Sequence, residues 1–139
     1  MIIQGQTTTF KKRLLSGLEN FATGTPYIYK IALYTANAAL NAETLNYTTN
    51  NEVIGAGYTA GGKALDIVPP AKSGTTAYIS FKDIVWTSAS FVVRGALIYN
   101  ATTSAAVAVL DFGSDKTASG NFTITFPPAT ATTAVIRIS

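Results

Sequence analysis

The sequence predicts a mainly β domain: a two-sheet β-sandwich or jelly-roll-like fold with one N-terminal amphipathic helix. Three observations carry this. Short runs of β-branched and aromatic residues recur along the chain, separated by Gly, Pro, Asn and Ser turn signals. The two most apolar runs, Phe91–Tyr99 and Ala105–Phe112, are joined by Asn100-Ala101-Thr102-Thr103-Ser104, a loop of hairpin length. Strands so apolar belong in the middle of a sheet that is covered on at least one face. Finally, 139 residues without Cys suffice for one domain, residues 1–139, whose core needs no disulfides.

Taken in order, residues 1–9 read as a polar N-terminal arm carrying two apolar residues, Ile2 and Ile3. An arm of this kind is expected to order on a partner, so that its removal would spare the fold. The helix is expected over residues 10–21, where Phe10, Leu14, Leu18 and Phe21 share one face, with Thr8 or Thr9 as N-cap. Ala22-Thr23-Gly24-Thr25-Pro26 ends it. Lys11, Lys12 and Arg13 then fall in the first turn, where the helix dipole disfavours cations by ~0.3–1 kcal/mol each. They form a solvated face, or a docking site for an acidic partner surface.

Tyr27–Thr35 is a strand with Tyr27, Tyr29, Ile31 and Leu33 on one face and Ile28, Lys30, Ala32 and Tyr34 on the other. So many tyrosines are hard to bury together, which marks Tyr27 and Tyr29 as contact residues. Residues 36–45 form a helical turn or a loop, 47–54 are polar and extended, and 55–62 are dense in glycine. Lys63–Val68 is a strand stopped by Pro69-Pro70, and Lys72-Ser73-Gly74 is a turn. Ala77–Lys82 alternates with Ile79 and Phe81 inward, and the pattern changes phase at Ile84-Val85-Trp86, as at a bulge. Thr87–Ser90 reads as a turn and 113–120 as a polar loop. Phe122, Ile124 and Phe126 alternate before Pro127-Pro128, and Val135–Ile138 is a closing strand.

The composition excludes several function classes. Charged residues make up 12% of the chain, and the net charge of +3 is too mild and scattered for a nucleic-acid surface. No apolar run is long enough to span a bilayer, so no membrane partner is expected, and the N-terminus lacks the layout of a signal peptide. Without His or Cys there is no Ser-His-Asp or Cys-His nucleophile and almost no zinc chemistry. The carboxylates Asp111 and Asp115 flank a turn, but surface loop acids are the simpler reading. Gly57-Tyr58-Thr59-Ala60-Gly61-Gly62-Lys63-Ala64 matches a phosphate loop except at Ala64, which has no hydroxyl for magnesium, and no long helix can follow it. Three Asn-x-Thr sequences, at Asn46, Asn100 and Asn121, are by-products of a Thr-rich composition. Trp86 belongs in the core rather than on a carbohydrate platform. No cofactor, metal or catalytic residue is expected, and the chain is not read as an enzyme.

Several segments, in order, resemble small virion structural proteins of tailed bacteriophages: Lys30-Ile31-Ala32-Leu33-Tyr34-Thr35, Asn51-Glu52-Val53 with Gly57–Lys63, Val85-Trp86 followed by Arg94–Tyr99, and Leu110-Asp111-Phe112-Gly113. The resemblance spans roughly Tyr27 to Phe126 and is greatest to capsid cement or decoration proteins. It implies a non-enzymatic component on the capsid surface of the virion, made in the bacterial cytoplasm. Its partner would be the major capsid protein or another virion subunit, with a dimer or trimer of the chain itself. The alternatives are a tail or head–tail junction component, or a carbohydrate-binding sandwich of a host-recognition structure. The expected contact residues are Ile2, Ile3, Lys11, Lys12, Arg13, Tyr27 and Tyr29.

Overall fold

The computed structural model describes residues 1–139. The chain runs β1 (Gly5–Gln6), α1 (Thr8–Leu15), β2 (Tyr29–Tyr34), β3 (Lys63–Ala64), β4 (Ile67–Ser73), β5 (Thr76–Phe81), β6 (Ile84–Asn100), β7 (Ala105–Ile124) and β8 (Ile136–Ile138). A five-stranded sheet has the order β1-β7-β6-β2-β3, and a three-stranded sheet the order β4-β5-β8; every pairing is antiparallel. This is the two-sheet, mainly β architecture with a single short N-terminal helix.

The central sheet is buried on both faces, one more than its apolarity required. Tyr29, Ile31 and Leu33 of β2 join Val93, Ala96 and Ile98 of β6 in the core that faces the small sheet, where Ile79, Phe81 and Ile136 meet them. Ala32, Tyr34, Leu97, Tyr99 and Val109 point the other way, under a cover made of Ile2, Ala38 and Leu40. The period-two alternation of β2 thus divides its side chains between two cores. Trp86 lies in the first core, 1% exposed.

The N-terminal segment is part of that cover, which corrects the reading of residues 1–9 as a free arm. Ile2 is 7% exposed and forms a parallel bridge with Leu40. The Met1 amine donates to the Ala38 carbonyl (2.8 Å), Ile3 N–H to Leu40 (2.9 Å) and Thr7 N–H to Val107 (2.9 Å). Ile2 thus finds its groove in its own chain.

The helix is shorter than its apolar spacing suggests and begins earlier. Thr7 is the N-cap, its hydroxyl accepting from Phe10 N–H (3.1 Å). The helix ends at Leu15 because Gly17 adopts φ +72°, letting Leu18 N–H reach the Arg13 carbonyl (2.8 Å) and Gly17 N–H that of Leu14 (3.2 Å). Phe21 still reaches the core, from the loop beyond the helix. Lys12 and Arg13 consequently sit in the last turn, where the dipole favours cations. The first-turn penalty expected for them does not arise.

Three presumed breaks are continuous strand. Pro69 and Pro70 lie inside β4, at a register shift between Val68 and Ala71 on an edge strand, where their missing N–H groups cost no ladder bond. Thr87 and Ser88 bulge out of β6 opposite Asn121 alone, with Ser88 at φ +51°. Residues 112–115 of β7 face only Arg94, and the excursion is closed by Arg94 Nε on Asp111 Oδ1 (3.1 Å). Polar composition marked these places correctly as irregular, but each irregularity is a bulge within a ladder. The expected strand over Lys63–Val68 is divided between β3 and β4, with Leu65 dropping into the core.

Candidate functional site

The glycine-dense loop that imitates a phosphate site is already occupied by a carboxylate of this chain. Glu52 is buried and accepts hydrogen bonds from Tyr47 Oη (2.6 Å), Tyr58 Oη and Gly61 N–H (2.8 Å). Gly61 lies within the phosphate-loop-like stretch, so the amide that would cradle an anion holds Glu52. Tyr99 Oη donates to the Gly61 carbonyl (2.7 Å), and its ring stacks on Tyr47 at 4.7 Å. Tyr58 Oη in turn accepts from Leu33 N–H (3.0 Å), bonding the loop to β2. Gly62 packs so closely that a Cβ there would lie 1.8 Å from the Ile31 carbonyl oxygen. Lys63 Nζ donates to the Val85 carbonyl (2.6 Å) and lies 5.9 Å from the centroid of the Trp86 ring. Burial raises the phenols of Tyr34, Tyr47 and Tyr58 above their ordinary range and that of Tyr99 to about 12. The cluster is a clasp: it fastens residues 47–62 over the sheet.

A second buried carboxylate lies across the molecule, where the helix meets the hairpin loop. Glu19 Oε1 accepts from Asn100 Nδ2 (2.7 Å) and Tyr29 Oη (3.4 Å), with Arg13 Nη2 at 3.6 Å. Its Oε2 is buried and has no partner, and neither has Arg13 Nε. Burial raises the Glu19 carboxyl above its ordinary value, outweighing the Asn100 hydrogen bond and the Arg13 charge that pull it down. Glu19 also lines an apolar groove of about 260 Å³ between α1 and the small sheet, with Phe10, Leu14, Phe21, Ala77, Ile79 and Ile136 among the walls. Sequence reasoning missed this site. Glu19 and Asn100 are 81 positions apart, and nothing local in either segment announces that they meet.

The structure separates the expected contact residues. Tyr29 is buried, its hydroxyl held by Glu19 and Asn20, and Ile2 is buried under the sheet; neither is available to a partner. Arg13 is largely engaged, donating to Leu18 O (3.0 Å) and Thr103 Oγ1 (3.4 Å) besides pairing with Glu19. Ile3, Lys11 and Lys12 are exposed, and Tyr27 is half-buried.

Three of the exposed apolar residues lie near the Asn100–Ser104 loop, among them Leu18, which the helical spacing places with Phe10 and Leu14 but which the end of the helix at Leu15 leaves exposed. Ile28 N–H donates to Thr102 Oγ1 (3.0 Å), and its carbonyl accepts from Ala101 N–H (2.7 Å). The Leu45 carbonyl accepts from Ala106 N–H (3.0 Å), and that of Leu18 from the Arg13 guanidinium that also reaches Thr103. Ile28 is therefore bonded to the Asn100–Ser104 hairpin loop, Leu45 to the strand residue just beyond it, and Leu18 to it through Arg13, and all three are exposed. Among family models, characterised proteins and solved structures, none matches this chain, so the reading of its role rests on these surfaces and on the sequence resemblance.

Proposed function

We propose that this chain is a non-enzymatic structural component of a bacteriophage virion that binds and stabilises the capsid by surface adhesion. One observation carries the reading beyond resemblance: Leu18, Ile28 and Leu45 lie exposed near the hairpin loop. Apolar side chains in water on a sparsely charged protein mark a surface that another protein covers. Here their backbone is tied down in advance, so little ordering entropy would oppose docking. Lys11 and Lys12, exposed on the adjoining helix, would complement acidic groups on the capsid.

Co-sedimentation with purified capsids of the parent particle tests this. The unaltered chain should pellet with the shells at a fixed ratio to the major capsid subunit. The double variant Ile28→Glu/Leu45→Glu should bind at least about tenfold more weakly, a loss of ~1.4 kcal/mol, with its melting temperature unchanged. Failure of the unaltered chain to associate with capsids overturns the proposal.

A further inference from the structure

A sheet edge is a row of unpaired backbone groups, and this molecule blunts every such edge but one. β1, β3 and β8 are two, two and three residues long, and β4 carries Pro69 and Pro70. The outer side of β6 is tied to the glycine-dense loop, through Ser90 N–H on the Ala56 carbonyl (2.9 Å) and Lys63 Nζ on the Val85 carbonyl (2.6 Å). On β7 the N-terminal segment reaches only as far as Asp111, whose N–H is accepted by Gln4 Oε1 (3.0 Å). Beyond Gly113, whose N–H is accepted by Asp111 Oδ1, no hydrogen bond from outside the β6–β7 ladder reaches residues 114–124. Their outward N–H and C=O groups form an open row that no proline interrupts. The group that such a row binds is an extended strand.

A groove of about 340 Å³ accompanies this edge, walled by Phe112, Lys116, Phe122, Thr123, Ile124 and Thr125. These residues belong to β7 or directly follow it, and none belongs to β6, so the groove runs beside β7 on the side that the hairpin leaves open. Strand addition draws affinity from the main chain and specificity from pockets for alternate side chains. Here Phe112, Phe122 and Ile124 suit an apolar side chain. Lys116 is the one charged residue among the walls. It makes no ion pair, and Asp115 beside it points to the opposite face of the strand. A carboxylate on an incoming strand complements it. A second copy of this edge does not, because it brings another Lys116 to the same face, a like charge of the kind that keeps edges from pairing with themselves.

We propose that the outer edge of β7, residues 114–124, is a strand-addition site for an extended segment of a partner protein that carries apolar residues and a carboxylate at alternate positions. The site lies at the open end of the β6–β7 hairpin, away from the exposed Leu18, Ile28 and Leu45 near its turn, and does not rest on the capsid-binding role proposed above.

The test is an amide-shift titration of the full chain with the blocked peptide acetyl-Thr-Leu-Thr-Leu-Thr-Glu-Thr-amide. Its order is chosen so that in antiparallel pairing the glutamate meets Lys116 and the leucines meet the groove. The peptide should shift amides within residues 114–124 and slow their exchange, leaving those of β2 unmoved. Replacing its glutamate by glutamine should weaken binding about threefold at low salt, the effect of one exposed ion pair. Lys116→Gln, at an exposed residue without a partner, should keep the melting temperature and abolish the difference between the two peptides. Absence of shifts along residues 114–124 overturns the strand-addition site. Equal binding of the two peptides to the unaltered chain overturns the acidic partner. Shifts at these amides that grow with protein concentration alone, together with a dimer in sedimentation equilibrium, overturn the foreign strand in favour of a second copy. None of these readings involves capsids, so the two proposals fail separately.

Discussion

At the scale of single residues, two carboxylates do most of the specifying, and they do it oppositely. Glu52 is well supplied with donors from Tyr47, Tyr58 and Gly61. Replacing it by Ala strands two phenols and an amide, each costly to leave unpaired under the sheet. Glu52→Ala should lower stability by about 3 kcal/mol in a denaturant titration and open residues 47–62 to proteolysis. Glu19 is undersupplied. Its folded carboxyl holds a proton more tightly than the unfolded one, so the native state binds more protons above the ordinary value of 4.5. Stability from this group is therefore present at low pH and falls as pH rises through and above that value. Asp111, lowered by its bonds to Gly113 and Arg94, acts with the opposite sign and in a lower window, losing its contribution as pH falls below 3.8. Denaturation midpoints measured from pH 3 to 8 should show the Glu19 decline, and Glu19→Gln should flatten it.

At the scale of elements, the sequence was most readable where apolar residues repeat without interruption. The central hairpin, its loop and the alternating face of β2 follow directly from Phe91–Tyr99, Ala105–Phe112 and Tyr29–Tyr34. Legibility failed where one residue outweighs a pattern. Gly17 ends a helix whose apolar spacing continues to Phe21, and Pro69-Pro70 sits within an edge strand because a bulge there needs no N–H. It failed again where the answer lay a hundred positions away, as with Thr7, whose hydroxyl donates to Ala106 O (3.0 Å). The same long reach reverses the expectation for the N-terminus. Removing Met1–Gln6 uncovers Leu40 and Val109, deletes β1 and should lower stability by about 3 kcal/mol, read as a fall in melting temperature. An unchanged melting temperature would restore the free arm. Among the cations, Lys11→Gln/Lys12→Gln should leave the melt untouched, whereas Arg13→Gln should lower it by disturbing Glu19.

For the whole molecule, the cores on the two faces of the central sheet share one sheet and should melt together. Five of the seven tyrosines, Tyr29, Tyr34, Tyr47, Tyr58 and Tyr99, have phenols raised by burial. Each binds its proton more tightly when folded, so stability falls as pH climbs past the ordinary phenol value of 10. Ionisation of these five phenols, followed by tyrosinate absorbance, should consequently coincide with loss of the far-ultraviolet β signal. A gradual rise with the β signal intact would show that the clasp around Glu52 opens independently.

The pairing of Gly5 and Gln6 with Val109 and Ala108 has a consequence for biosynthesis. The first strand made is nearly the last to find its neighbour. Until β6 and β7 have been made, β1 has no neighbour and Ile2 lacks Leu97 and Val109 of the core that covers it, and stays partly uncommitted. The β6–β7 turn, by contrast, closes locally as soon as it emerges. Docking of β1 is thus a late step, and slow codons or a chaperone acting while β7 is being made would govern the yield of this fold more than anything acting early.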